Sequence, residues 1–128
     1  MERKFPRNLQ LLLSGTIVIV AGFAYGLHPS YVMPLALGFE VEALALRNIF
    51  RAILGIYLGL GTYWLLGAFR PTLWKPATLN NVFFMGGIAF GRFLGLCIDG
   101  FSLAFFIAMV LELLFMVWGL YNLKAYKS

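Results

Sequence analysis

Three ionisable side chains stand inside long apolar runs of this sequence: Arg51, Arg92 and Glu112. Placing such a group at the centre of a lipid-embedded helix costs about 2.5–3.5 kcal/mol. Each therefore needs a compensating partner or a task. A guanidinium facing a carboxylate supplies one, because the planar fork of arginine can engage both carboxylate oxygens. The spacing predicts a buried cluster in which Glu112 pairs with Arg92 or Arg51 and Asp99 takes the other arginine. Asn48, at the start of the second run, joins this set as a hydrogen-bonding side chain. On helical periodicity Arg92 shares a face with Ile88, Gly95, Leu96 and Asp99, and Glu112 with Ala108, Met109, Phe115, Met116 and Gly119. Arg51 shares one with Arg47, Leu54, Gly55 and Leu58. Two chemistries fit this pattern. The charges can act as pins that fix which helices meet and in what register. Alternatively they form a site, with two arginines holding an anionic headgroup or another small anion, or with Glu112 carrying a proton.

Other reactive side chains are sparse. His28 is the only histidine and Cys97 the only cysteine, so no intrachain disulfide forms and no metal-ligand cluster is in view. His28, beside Pro29, reads as a polar cap at a membrane boundary, with ligation of a haem or pigment as the weaker alternative. Cys97 reads as a small apolar packing residue. No Ser-His-Asp set, glycine-rich phosphate loop or paired-cysteine motif is present, and the residues make no positive case for catalysis. The cofactor, if any, is left open.

The elements that must position these groups follow from composition. Apolar residues make up 62% of the 128 and charged residues 12%, against about 45–50% and about 25% in soluble domains. So small a globule cannot bury that much apolar surface, which makes lipid its solvent. Four apolar runs, about 9–27, 48–69, 77–98 and 102–123, each reach the roughly 20 residues a transmembrane helix needs. Helices are required because open strands leave backbone groups unpaired in lipid. The sequence thus predicts one all-α domain over 1–128, an integral membrane four-helix bundle. A cleavable signal peptide competes for the first run, but its apolar stretch is longer than a usual signal core.

Arg3, Lys4, Arg7, Arg70, Lys75, Lys124 and Lys127 fall at the two ends and in the middle loop; Glu40, Glu42, Asp99 and Arg47 fall on the opposite side. By the bias of Lys and Arg toward the cytoplasm, both termini are cytoplasmic. The net charge of +5 is therefore read as topology, and nucleic acid is not expected as a partner. The long connection 28–46 reads as a short interfacial helix or re-entrant turn. Trp64, Trp74, Trp118 and Tyr121 read as headgroup anchors. Glycines recur at a spacing of four: Gly22 and Gly26, Gly55 and Gly59, then Gly87, Gly91 and Gly95. Such stripes let helices pack closely within a bundle or across a homo-oligomer.

Tyr25-Gly26-Leu27-His28-Pro29, Asn48-Ile49-Phe50-Arg51-Ala52, Gly55-Ile56-Tyr57, Trp64 and Gly67-Ala68-Phe69-Arg70-Pro71 form one set of recognisable segments. With Gly91-Arg92, Asp99-Gly100 and the late Glu112, the chain resembles a family of small bacterial four-helix membrane proteins catalogued as a domain of unknown function, similar in layout to DoxX-like proteins. The resemblance implies a bacterial inner membrane and carries no activity. Two functions are expected from different classes. One is a structural or accessory subunit bound to a membrane-protein partner. The other is a small-ligand or lipid-binding protein or transporter, as a monomer or a homo-oligomer, that uses the Arg/Glu cluster.

Overall fold

The computed structural model describes residues 4–126. Among them the chain is all-α, with α1 (Lys4–Gly26), α2 (Pro29–Ala36), α3 (Leu44–Phe69), α4 (Pro71–Ile98) and α5 (Leu103–Ala125). All but α2 are long and apolar enough to cross a bilayer, and the chain is a multi-pass membrane protein. Arg3 and Lys127, two of the orienting charges, lie outside the described residues.

Local chemistry sets the helix ends. α4 begins at Pro71 rather than near residue 77, because proline suits the first helical position, where its missing N–H is no loss. Pro76 lies inside the helix, where its ring removes one bond to the carbonyl of the preceding turn. α5 is capped by Ser102, whose hydroxyl oxygen accepts the Phe105 N–H at 3.5 Å. The turn before it runs through Gly100 at φ +119°, a conformation that favours glycine. The 28–46 connection contains α2, which opens on Pro29 and ends where the N–H groups of Leu37 and Gly38 both donate to the Met33 carbonyl. Ser30 Oγ donates to the Val41 carbonyl at 2.8 Å, Val41 is buried, and Phe39 stacks on Phe50. The loop is thus folded onto the start of α3.

The chain divides into two compact units, Leu12–Leu65 and the residues on either side of it. Within the first unit α1 and α3 run antiparallel. A Cβ on Gly22 would sit 2.9 Å from Tyr57 Cβ, and one on Gly26 would overlap Leu54 and the Phe50 carbonyl. Gly61 of α3 is as crowded, against Val18, Ile19 and the Gly15 carbonyl. Glycine is what allows these backbones to approach. Gly55 and Gly59, on the same helix, face open space, and so do Gly87 and Gly91 of α4. The expected stripes on α3 and α4 are therefore not packing faces within either unit.

This divides the glycines into two experimental classes. Gly26→Ala and Gly61→Ala should each destabilise the protein by about 1–3 kcal/mol through overpacking. Gly55→Ala and Gly87→Ala should be neutral or stabilising by about 0.4–1 kcal/mol, since alanine lowers the entropy of the unfolded chain. Unfolding in mixed micelles followed by circular dichroism reads the difference. Equal effects at all four positions would show that these close approaches do not hold α1 to α3.

The second unit is built on the α4–α5 hairpin, with the start of α1 and the end of α3. The buried residues of α4 include Trp74, Thr78, Asn81, Met85 and Ala89, steps of three or four that trace one helical face. Arg92 continues the same line. On α5 the matching line runs Glu112, Phe115, Gly119, Asn122, of which Gly119 and Asn122 are buried. Val82 lies 2.7 Å from where a Gly119 Cβ would stand, and Met116 Sδ 3.0 Å from one on Gly86, so the two lines form the hairpin seam.

Candidate functional site

Two polar groups interrupt this seam. Toward the α4–α5 turn, Arg92 Nε donates to Glu112 Oε1 at 2.8 Å, closing an ion pair between the two helices. The Arg92 guanidinium also lies 5.6 Å from the centre of the Phe105 ring. Seven residues separate Arg92 from Asp99, about 10 Å along the helix, so the pair is well inside the apolar segment. Both side chains are mostly enclosed, at 22% and 16% exposure. Mutual neutralisation is what makes two charges tolerable there.

Beside the pair is a cavity of about 410 Å³. Arg92, Gly95, Leu96 and Asp99 of α4 and its cap line one side; the turn and the start of α5 supply Gly100, Phe101, Ser102 and Phe105. The α4 residues are the face that helical spacing assigns to Arg92. Gly95 leaves room for the Asp99 carboxylate, whose Oδ2 would lie 3.9 Å from a Cβ at that position.

The other expected members are placed by different contacts. Arg51 donates through Nη1 to the carbonyls of Gly26 and Leu27, at 2.7 and 2.5 Å. These belong to the end of α1, where carbonyls lack helical donors and the helix dipole is negative. Arg51 is thus compensated by a helix C-terminus, and the expected pairing of a second arginine with Asp99 is not what is seen. Asn48 is exposed in the first turns of α3. His28 is exposed, precedes α2, and packs edge-on against Tyr31 at 5.9 Å. Cys97 is exposed rather than packed.

The second polar group was not legible as a site. Gln10 Nε2 donates to Asn81 Oδ1 at 2.8 Å and to the Phe115 carbonyl at 3.0 Å. Asn122 Nδ2 and Trp74 Nε1 both donate to the Arg7 carbonyl, at 3.4 and 3.2 Å. The Arg7 guanidinium lies 4.7 Å over the Trp74 ring. Gln10, Asn81 and Asn122 are buried, as is Trp74, which is therefore no headgroup anchor; nor is buried Trp64. The available signal was the amides themselves, since an Asn or Gln in an apolar helix seeks a partner on a neighbouring one. Through these bonds the group ties α1, α4 and α5 together.

No curated protein and no solved structure matches the chain. Residues 7–123 match the family described as Domain of unknown function (DUF4345), and the chain belongs to that family.

Proposed function

We propose that this member of the DUF4345 family is a small membrane-embedded binding protein whose ligand sits in the α4–α5 cavity, against the Arg92–Glu112 pair. One observation carries the reading: the arginine of an intramembrane ion pair lines open space. A pair that serves only to set register needs no accessible space at its side. At about 410 Å³ the cavity is within the about 300–1,000 Å³ range of small-ligand sites. These features favour a lipid or small-molecule binder.

A second reading keeps its own support. Leu103, Ile107, Leu111, Leu114 and Val117 of α5 are exposed, as are Gly87 and Gly91 on α4. Such surfaces suit a membrane-protein partner or a second copy, as an accessory subunit would need. Placement in a bacterial inner membrane with cytoplasmic termini draws on the distribution of Lys and Arg.

Purification from the native membrane in a mild detergent, followed by native mass spectrometry, separates the readings. The expected result is a monomer or homo-oligomer carrying a stoichiometric small molecule. A stoichiometric protein partner with no small molecule would overturn the proposal in favour of the accessory subunit.

A further inference from the structure

We infer that the α4–α5 cavity selects an organic ammonium group rather than an anion; this rests on the cavity being the ligand site. The charge balance gives the sign. Arg92 is the only basic residue in the lining, and Glu112 neutralises it at 2.8 Å. Asp99 also lines the cavity, and among the described residues no ion pair engages it. One negative charge is left over.

The backbone adds to it. Asp99 is the C-cap of α4, and its N–H closes the last helical bond, to Gly95. The carbonyls that follow Gly95 carry the negative end of the helix dipole toward this turn. A carboxylate at a helix C-terminus is itself disfavoured by that dipole, so an entering cation relieves two unfavourable interactions. An anion would meet both.

The walls refine the chemistry. Phe101 and Phe105 line the same space, and aromatic faces attract alkylammonium groups that are weakly hydrated. The ring of Phe105 already lies near one cation, Arg92, which shows the geometry that such a wall accepts. The single Asp99 carboxylate is too few oxygens for a calcium or magnesium site, and the volume suits a group larger than a bare ion. Leu96 and the rings fit an apolar portion of the same molecule. An ammonium joined to an apolar body occurs both in zwitterionic lipids with amine headgroups and in free amphiphilic amines.

The test uses the full chain in an uncharged maltoside detergent. Calorimetric titration with benzyltrimethylammonium is compared with benzenesulfonate, an anion of similar size. The expected result is binding of the cation only, weakened at least about 10-fold in Asp99→Asn and also weakened in Phe101→Leu, with each variant's thermal melt confirming that it folds. Sulfonate binding as tight as the cation's would overturn the ammonium assignment while leaving the cavity as a ligand site. An unchanged affinity in folded Asp99→Asn would overturn it as well. Binding of neither probe, together with no phosphatidylethanolamine retained in native mass spectrometry, would overturn both the assignment and the cavity reading. Retained phosphatidylethanolamine that is lost in Asp99→Asn identifies a lipid headgroup as the source; binding of the free amine without lipid retention identifies a soluble amine.

Discussion

Glu112→Leu should destabilise the folded protein by about 1.5–3 kcal/mol, the effect of removing a charged hydrogen-bond partner from a mostly enclosed guanidinium. Arg92 would then lie about two turns inside an apolar segment with its Nε donor no longer held by a carboxylate. Replacing both residues, as Arg92→Met with Glu112→Leu, should recover most of that loss, because a packed apolar pair of similar volume is often neutral or better than the ion pair it replaces. Glu112→Gln should fall between, since the amide oxygen can still accept from Arg92 while the charge is gone. Unfolding of the two single variants and the double variant in mixed micelles gives the coupling energy directly. Strict additivity would mean that the pair contributes nothing to the hairpin.

The four long helices were legible because length and apolar composition are properties of a segment, and lipid forces such a segment to be a helix. Boundaries were less so. Pro76 reads as a barrier in sequence, yet α4 starts at Pro71 and passes through it. The charge pair was half legible. Arg92 and Glu112 had few alternatives for compensation in lipid, whereas Arg51 found one that leaves no mark in a list of acids: the free carbonyls at the end of α1.

The glycines show why a spacing of four is ambiguous. Gly59 and Gly61 of α3 are two residues apart and so lie on nearly opposite sides of the helix. The four-residue repeat picks Gly59 with Gly55, but Gly61 is the one pressed against α1. Only the identity of the neighbouring helix decides between them. The amides Gln10, Asn81 and Asn122 escape notice in sequence for a related reason. They lie in three different runs, Asn81 directly after Asn80, and the group exists only after antiparallel packing of α4 and α5 and the arrival of the start of α1.

Trp74→Ala should cost about 3–5 kcal/mol, the range for emptying a buried aromatic site, although its position beside Lys75 suggests a dispensable membrane-interface ring. The structure gives the side chain three roles at once. It is buried at 1% exposure, it donates from Nε1 to the Arg7 carbonyl, and it lies under the Arg7 guanidinium. Trp74→Phe separates them. Phenylalanine keeps most of the ring and its face for Arg7 but removes the N–H. The Arg7 carbonyl still has Asn122 Nδ2 at 3.4 Å, so the loss should be nearer about 1 than about 3 kcal/mol, within the range for an incompletely satisfied buried acceptor. Tyr121→Ala supplies the contrast, since Tyr121 is 62% exposed and should change stability by well under about 1 kcal/mol. Micellar unfolding should rank the losses with Trp74→Ala largest, Trp74→Phe next and Tyr121→Ala smallest. A Trp74→Ala effect as small as that of Tyr121→Ala would mean that the ring is an interface anchor after all, and that the start of α1 is held to the hairpin by Gln10, Asn81 and Asn122 alone.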